Sequence, residues 1–94
     1  MKAEIDMTTA PDILGSPVRR KPALSAREVE VLRLWLRSDS KSAVANDLHI
    51  ALGTVNTHLT RIREKYAQVG RDASTKSTLL VRALQDEIVD LAEL

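Results

Sequence analysis

Positions 54–65 read Thr-Val-Asn-Thr-His-Leu-Thr-Arg-Ile-Arg-Glu-Lys, and several of these polar groups are suited to reading the edges of base pairs. An asparagine amide makes two hydrogen bonds to adenine and an arginine guanidinium makes two to guanine, while threonine offers a methyl to thymine and a hydroxyl to several partners. Spacing decides whether they can act together. Val55, Leu59, Ile62, Tyr66 and Val69 recur at intervals of four and three, the stripe of an amphipathic helix. At about 100° per residue the opposite face then carries Thr57, Thr60, Arg61 and Glu64. Asn56 and Arg63 fall on one shoulder, His58 and Lys65 on the other. The plain alternative is a solvated polar face, and the pattern alone leaves both readings open.

Other chemistry finds little support. His49 and His58 are nine residues apart, in different elements, with no carboxylate cluster or glycine-rich phosphate loop to complete a site, so no enzyme activity is expected. The absence of cysteine excludes disulfides, thiol catalysis and cysteine-based zinc sites. No metal or cofactor is expected. With one Trp, one Tyr and no Phe, the chain lacks the aromatic faces on which single-stranded bases stack. No apolar run reaches the roughly 18 residues of a membrane span, and the N-terminus has no hydrophobic signal segment. A soluble, cytoplasmic protein is the expectation.

A helix at 53–69 needs neighbours to position it, and the sequence punctuates them clearly. Ser25-Ala26-Arg27-Glu28 is a capping box, opening a helix whose wide apolar face holds Ala26, Val29, Val31, Leu32, Trp35 and Leu36. The polar run Ser38-Asp39-Ser40 should end it. A short second helix from Lys41 or Ser42 to Leu48 buries Val44, Ala45 and Leu48, and the turn His49-Ile50-Ala51-Leu52 leads into the striped helix. Gly70 to Ala73 breaks the stripe, and Thr75 can cap a fourth helix bearing Leu79, Leu80, Ala83 and Leu84. The fold expected is all-α, with four helices and no strand. A short helix, a tight turn and a longer helix is the arrangement that places the longer one in a major groove.

The 94 residues leave room for one small domain. Residues 1–23 contain all three prolines and no periodic pattern, the composition of a flexible arm or linker; residues 24–94 are the domain. The net charge of +1 conceals a polar distribution. Residues 1–18 carry one Lys against three acids, and 83–94 carry four acids and no base; residues 19–52 hold seven basic and four acidic groups, and 53–82 six and two. A basic centre favours phosphate, although a solvated mixed-charge surface is equally compatible with it.

Two blocks of residues also resemble a known family. Leu24-Ser25-Ala26-Arg27-Glu28-Val29-Glu30-Val31-Leu32 is similar to the opening signature of LuxR-type (NarL/FixJ/GerE) helix-turn-helix domains, and Thr54-Val55-Asn56-Thr57-His58-Leu59 with Lys65 is similar to their recognition helix. The segment Tyr66-Ala67-Gln68-Val69-Gly70-Arg71 resembles an actinobacterial branch, including effector domains of two-component response regulators. The resemblance implies a tetrahelical domain that binds double-stranded DNA as a homodimer to regulate transcription. Carried over position by position, it implies base contacts from Asn56, Thr57 and Thr60, and phosphate contacts from Lys41, Thr54, His58, Arg61 and Lys65. RNA polymerase is a further candidate partner.

In this family the last helix supplies the dimer contact, here expected through Val81, Leu84 and Ile88, against the alternative that these residues cap the monomer core. Many relatives carry a receiver or sensor domain that 23 residues cannot hold, so the chain reads as a detached effector module or a stand-alone regulator. Arg19-Arg20-Lys21 can touch phosphate or the minor groove, or solubilise the linker. Three positions depart from the family pattern. Ala51 stands where a capping Ser is common, about four extra residues lie between Lys65 and Thr75, and Glu87 replaces a frequent Gly. With no Gly or Pro after Ala73 and with Leu80, Leu84, Ile88 and Leu91 at helical spacing, the fourth helix is expected to run nearly to the end. The rival reading is a helix-turn-helix-shaped protein-interaction module that pairs with another regulator and does not bind DNA.

Overall fold

The computed structural model describes residues 20–94, so most of the expected arm lies outside the described residues. Among them are four α-helices and no strand: α1 (Ala26–Arg37), α2 (Lys41–Leu48), α3 (Leu52–Gln68) and α4 (Lys76–Gln85), followed by one 3-10 turn at Leu91–Glu93. None is long and apolar enough to cross a membrane.

Each start is explained by local chemistry. Ser25 Oγ accepts from the Glu28 amide at 3.1 Å while the Glu28 carboxylate accepts from the Ser25 amide at 2.8 Å, the reciprocal bonding of a capping box. Ser40 caps α2 through the Ala43 amide, and Thr75 with Thr78 forms a second reciprocal box at α4. α3 begins without any side-chain cap, because Ala51 has no acceptor to offer.

Three ends share one device. His49, Gly70 and Glu87 are left-handed, with φ of 56°, 73° and 61°. After each, the next amide reaches back five residues: Ile50 to Ala45 O, Arg71 to Tyr66 O and Ile88 to Ala83 O. These are Schellman closures, in which glycine is the usual left-handed residue because it has no Cβ to clash. Glu87 therefore does what the family's Gly does, and α4 stops at Gln85 rather than running on. The expected stripe Leu80, Leu84, Ile88, Leu91 is broken: Ile88 lies past the helix end, half-buried against the core, and Leu91 is 75% exposed.

α1, α2 and α3 pack on one another around Val31, Leu32, Val44, Val55, Leu59, Ile62 and Tyr66, all fully buried. α4 adds Leu79 and Ala83, and the segments beside it add Ala73 and Val89. The face expected for α1 is corrected in detail: Val31 and Leu32 are its buried apolar pair, Val29, Trp35 and Leu36 are half-buried, Ala26 is exposed, and Glu28 is buried. Val69 lies just beyond α3, half-buried.

Candidate nucleic-acid interface

α3 buries Val55, Leu59, Ile62 and Tyr66 at relative exposures of 0%, which fixes its rotation and sets the opposite face outward. Asn56, Thr57, Thr60, Arg61 and Glu64 are all exposed, as are Gly53 and Thr54 in the first turn. Thr57 Oγ1 donates to Gly53 O at 3.0 Å, leaving its methyl and acceptor lone pairs for a partner. The side chains of Asn56, Thr60 and Arg61 have no hydrogen-bond partner among the described residues. The Gly53 backbone is open on its Cβ side, so the front of the helix presents little bulk.

The supporting residues differ in what they have left to give. Lys41, in the first turn of α2, is half-buried with its Nζ 5.8 Å from the Trp35 ring centroid. Lys76 packs closer over the same ring, at 3.9 Å, and donates to Ser38 O at 2.7 Å. His58 is half-buried, and its Nδ1 has no partner among the described residues. Lys65, expected at a phosphate, has bonds within the fold. Its Nζ lies 2.7 Å from Glu28 Oε1 and 2.9 Å from Ala23 O, because the buried carboxylate of the capping box needs a counter-charge. Burial would raise the Glu28 carboxyl, but the bonds from Lys65 and Ser25 outweigh it and hold the group below the usual carboxylate range.

A second ionic site lies behind α3, and the sequence pattern concealed it. Arg71 and Asp86 form an ion pair at 2.9 Å, their side chains 10% and 4% exposed. Tyr66 Oη donates to Asp86 Oδ2 at 2.8 Å, and the Arg71 guanidinium lies 5.1 Å from the Tyr66 ring centroid. Burial first, then the neighbouring Asp86, raises the Tyr66 phenol above its ordinary range, so it stays a neutral donor. Arg82 donates to Asp72 O and Gln85 Oε1. Of the six basic groups counted in 53–82, four therefore have internal partners, leaving Arg61 and Arg63; the half-buried Arg63 has an Nε without a partner among the described residues. Local spacing points elsewhere: Asp86 stands within helical reach of Arg82, but its bonds go to Tyr66 and Arg71.

The expected dimer residues are dispersed. Val81 is 46% exposed, whereas Leu84 and Ile88 pack against the core. Among the described residues no group of three or more His, Asp or Glu is placed to hold a metal ion.

These features define a helix-turn-helix domain whose second helix exposes a polar, largely uncommitted front. Residues 22–71 match the family described as bacterial regulatory proteins, luxR family, and the chain belongs to that family. It is 40% identical over 63 residues to the probable transcriptional regulatory protein NarL of Mycobacterium tuberculosis, in strains CDC 1551 / Oshkosh and ATCC 25618 / H37Rv, covering 67% of this chain. The chain spans less than a third of those relatives, 29% of their length. No solved structure matches it significantly.

Proposed function

We propose that this domain is a sequence-specific duplex-DNA reader of a cytoplasmic transcriptional regulator, acting as a homodimer with α3 in the major groove. The carrying observation is the front of α3, where Asn56, Thr57 and Thr60 stand exposed opposite a fully buried stripe. An amide and two hydroxyl-methyl pairs suit base edges, and Arg61, Thr54, His58 and Lys41 flank them as phosphate contacts. Lys65 is left out of that set because its ammonium is already held by Glu28 and Ala23 O. The assignment as an effector domain of a response regulator draws on the resemblance of residues 66–71 to the actinobacterial branch.

Dimerisation is assigned to the α4 surface around Val81, with Leu84 and Ile88 behind it. Two recognition helices would then meet half-sites about 34 Å, one DNA turn, apart. Selection of bound duplexes from a random pool is the direct test. Symmetric half-sites are expected; a featureless pool favours the protein-interaction reading instead. Sedimentation of Val81→Arg against the parent tests the dimer surface without disturbing the core, and a variant that still dimerises sends the interface elsewhere.

A further inference from the structure

Residues 20–24, which enter the domain ahead of α1, are held by their backbone. Lys65 Nζ donates to Ala23 O at 2.9 Å, and Arg71 Nη1 donates to Arg20 O at 2.9 Å. The two cations come from the last turn of α3 and from the residue whose amide makes its Schellman closure. Each is itself fixed by a buried acid, Lys65 by Glu28 and Arg71 by Asp86. An ammonium has three donors and a guanidinium five, so each keeps donors beyond those its carboxylate takes. One from each goes to this segment, and Arg71 gives another to Gln85 Oε1 at 3.0 Å. Pro22 lies between the two held carbonyls, and its own carbonyl accepts from the Leu24 amide at 3.0 Å. Leu24 itself packs against the core.

We propose that residues 20–24 form a strap clamped to the rear of the recognition helix, and that Lys65 and Arg71 are positioning residues holding this strap rather than contacts to DNA phosphate. Because the clamp grips carbonyls, it reads the path of the chain and not its side chains. A pull or push on the chain ahead of residue 20 is thereby transmitted to the end of α3 through these two hydrogen bonds to backbone carbonyls. The strap is the physical link by which anything joined on its N-terminal side alters the setting of the reading helix.

Amide hydrogen exchange of the full chain without DNA tests the clamp. Lys65→Met, whose side chain is about a third exposed in the parent, removes one grip and keeps the length of the stem. The Leu24 amide is expected to exchange about tenfold faster in this variant, together with amides of the last turn of α3, as a local opening. Ile62→Val, a core change adjusted by solvent conditions to the same global stability, should leave Leu24 exchange as in the parent. Lys65→Met also leaves the buried Glu28 without its counter-charge. Glu28→Gln, which keeps the Lys65 grip on Ala23 O, is therefore measured beside it and should leave Leu24 exchange as in the parent. Arg71→Met, which likewise strands Asp86, is a second probe. Equal exchange of Leu24 in Lys65→Met and the parent, or equal acceleration in Ile62→Val or Glu28→Gln, overturns the clamp.

The duplex-binding arm rests on the DNA-reading assignment above. The slope of log affinity against log salt should be the same for Lys65→Met and the parent, whereas one lost phosphate contact reduces it by about 0.9. A reduced slope places Lys65 on phosphate and overturns its positioning role. If the parent binds no duplex, the DNA reading fails, and the exchange measurement still decides the clamp.

Discussion

The front and rear of α3 belong to one continuous helix and use their polar side chains in opposite ways. In the front, from Leu52 to Arg61, the exposed polar groups make one side-chain hydrogen bond among the described residues, the local bond from Thr57 to Gly53 O. In the rear, Lys65 bonds Glu28 and Ala23 O, and Tyr66 bonds Asp86 beside Arg71. Both halves share the same buried stripe, so the core alone does not distinguish them. The difference teaches that α3 is held as a cantilever: its rear is fixed by ties to other elements, and its exposed front carries polar side chains that bond to no other element among the described residues. Even the uncapped start at Ala51 fits this division, since the amides of the first turn are left without an internal side-chain acceptor.

The largest expected effect breaks the rear. Asp86→Ala strands Arg71 and removes the Tyr66 acceptor, and denaturant unfolding should show a loss of about 3–5 kcal/mol. A loss below about 1 kcal/mol would mean the ion pair is not what anchors this half. In the front the same kind of truncation should leave the fold alone. Asn56→Ala should change stability by no more than about 0.5 kcal/mol, while removing about 1–3 kcal/mol of discrimination at one base-pair position in competitive binding. An unchanged preferred sequence would remove Asn56 from the base-reading set.

Glu28 supplies an intermediate effect with a definite pH signature. Its folded carboxyl lies below the ordinary value, so the stability it contributes is complete above the unfolded value of about 4.3. It is lost as pH falls through the lower folded value. Glu28→Gln should therefore cost about 1.5 kcal/mol at neutral pH, as for a hydrogen bond to a charged group, and flatten the acid limb of the stability curve. Thermal melts across pH 2.5–7 would reveal it; a variant with the parent's acid limb would sink the assignment. The smallest effect concerns the front's missing cap. Ala51→Ser places a hydroxyl acceptor at an extended N-cap position and should raise stability by about 1 kcal/mol, read from the melting midpoint.

Much of this fold was legible as pattern. The Ser25 box, the Thr75 cap, the break at Ser38 to Ser40 and the stripe from Val55 to Tyr66 all depend on neighbours within a few residues, and they appear where spacing put them. The end of α4 was not legible, because a Schellman closure with Glu at the left-handed position carries none of the usual glycine signal. The internal bonds of Lys65 and Arg71 were not legible for a related reason. A cation on a helix shoulder has the same sequence appearance whether it faces water, phosphate or a buried acid. Their partners lie 37 and 15 residues away, beyond any local periodicity.

The sequence by itself determined the number and order of the α-helices and the outward face of α3, since helical period and capping chemistry are local and the apolar stripe permits one rotation. Only the tertiary structure decided which charges remain available on that helix. Burying Glu28 and Asp86 demands counter-charges, and the packing of α1 and of the segment after α4 brings Lys65 and Arg71 within reach to supply them.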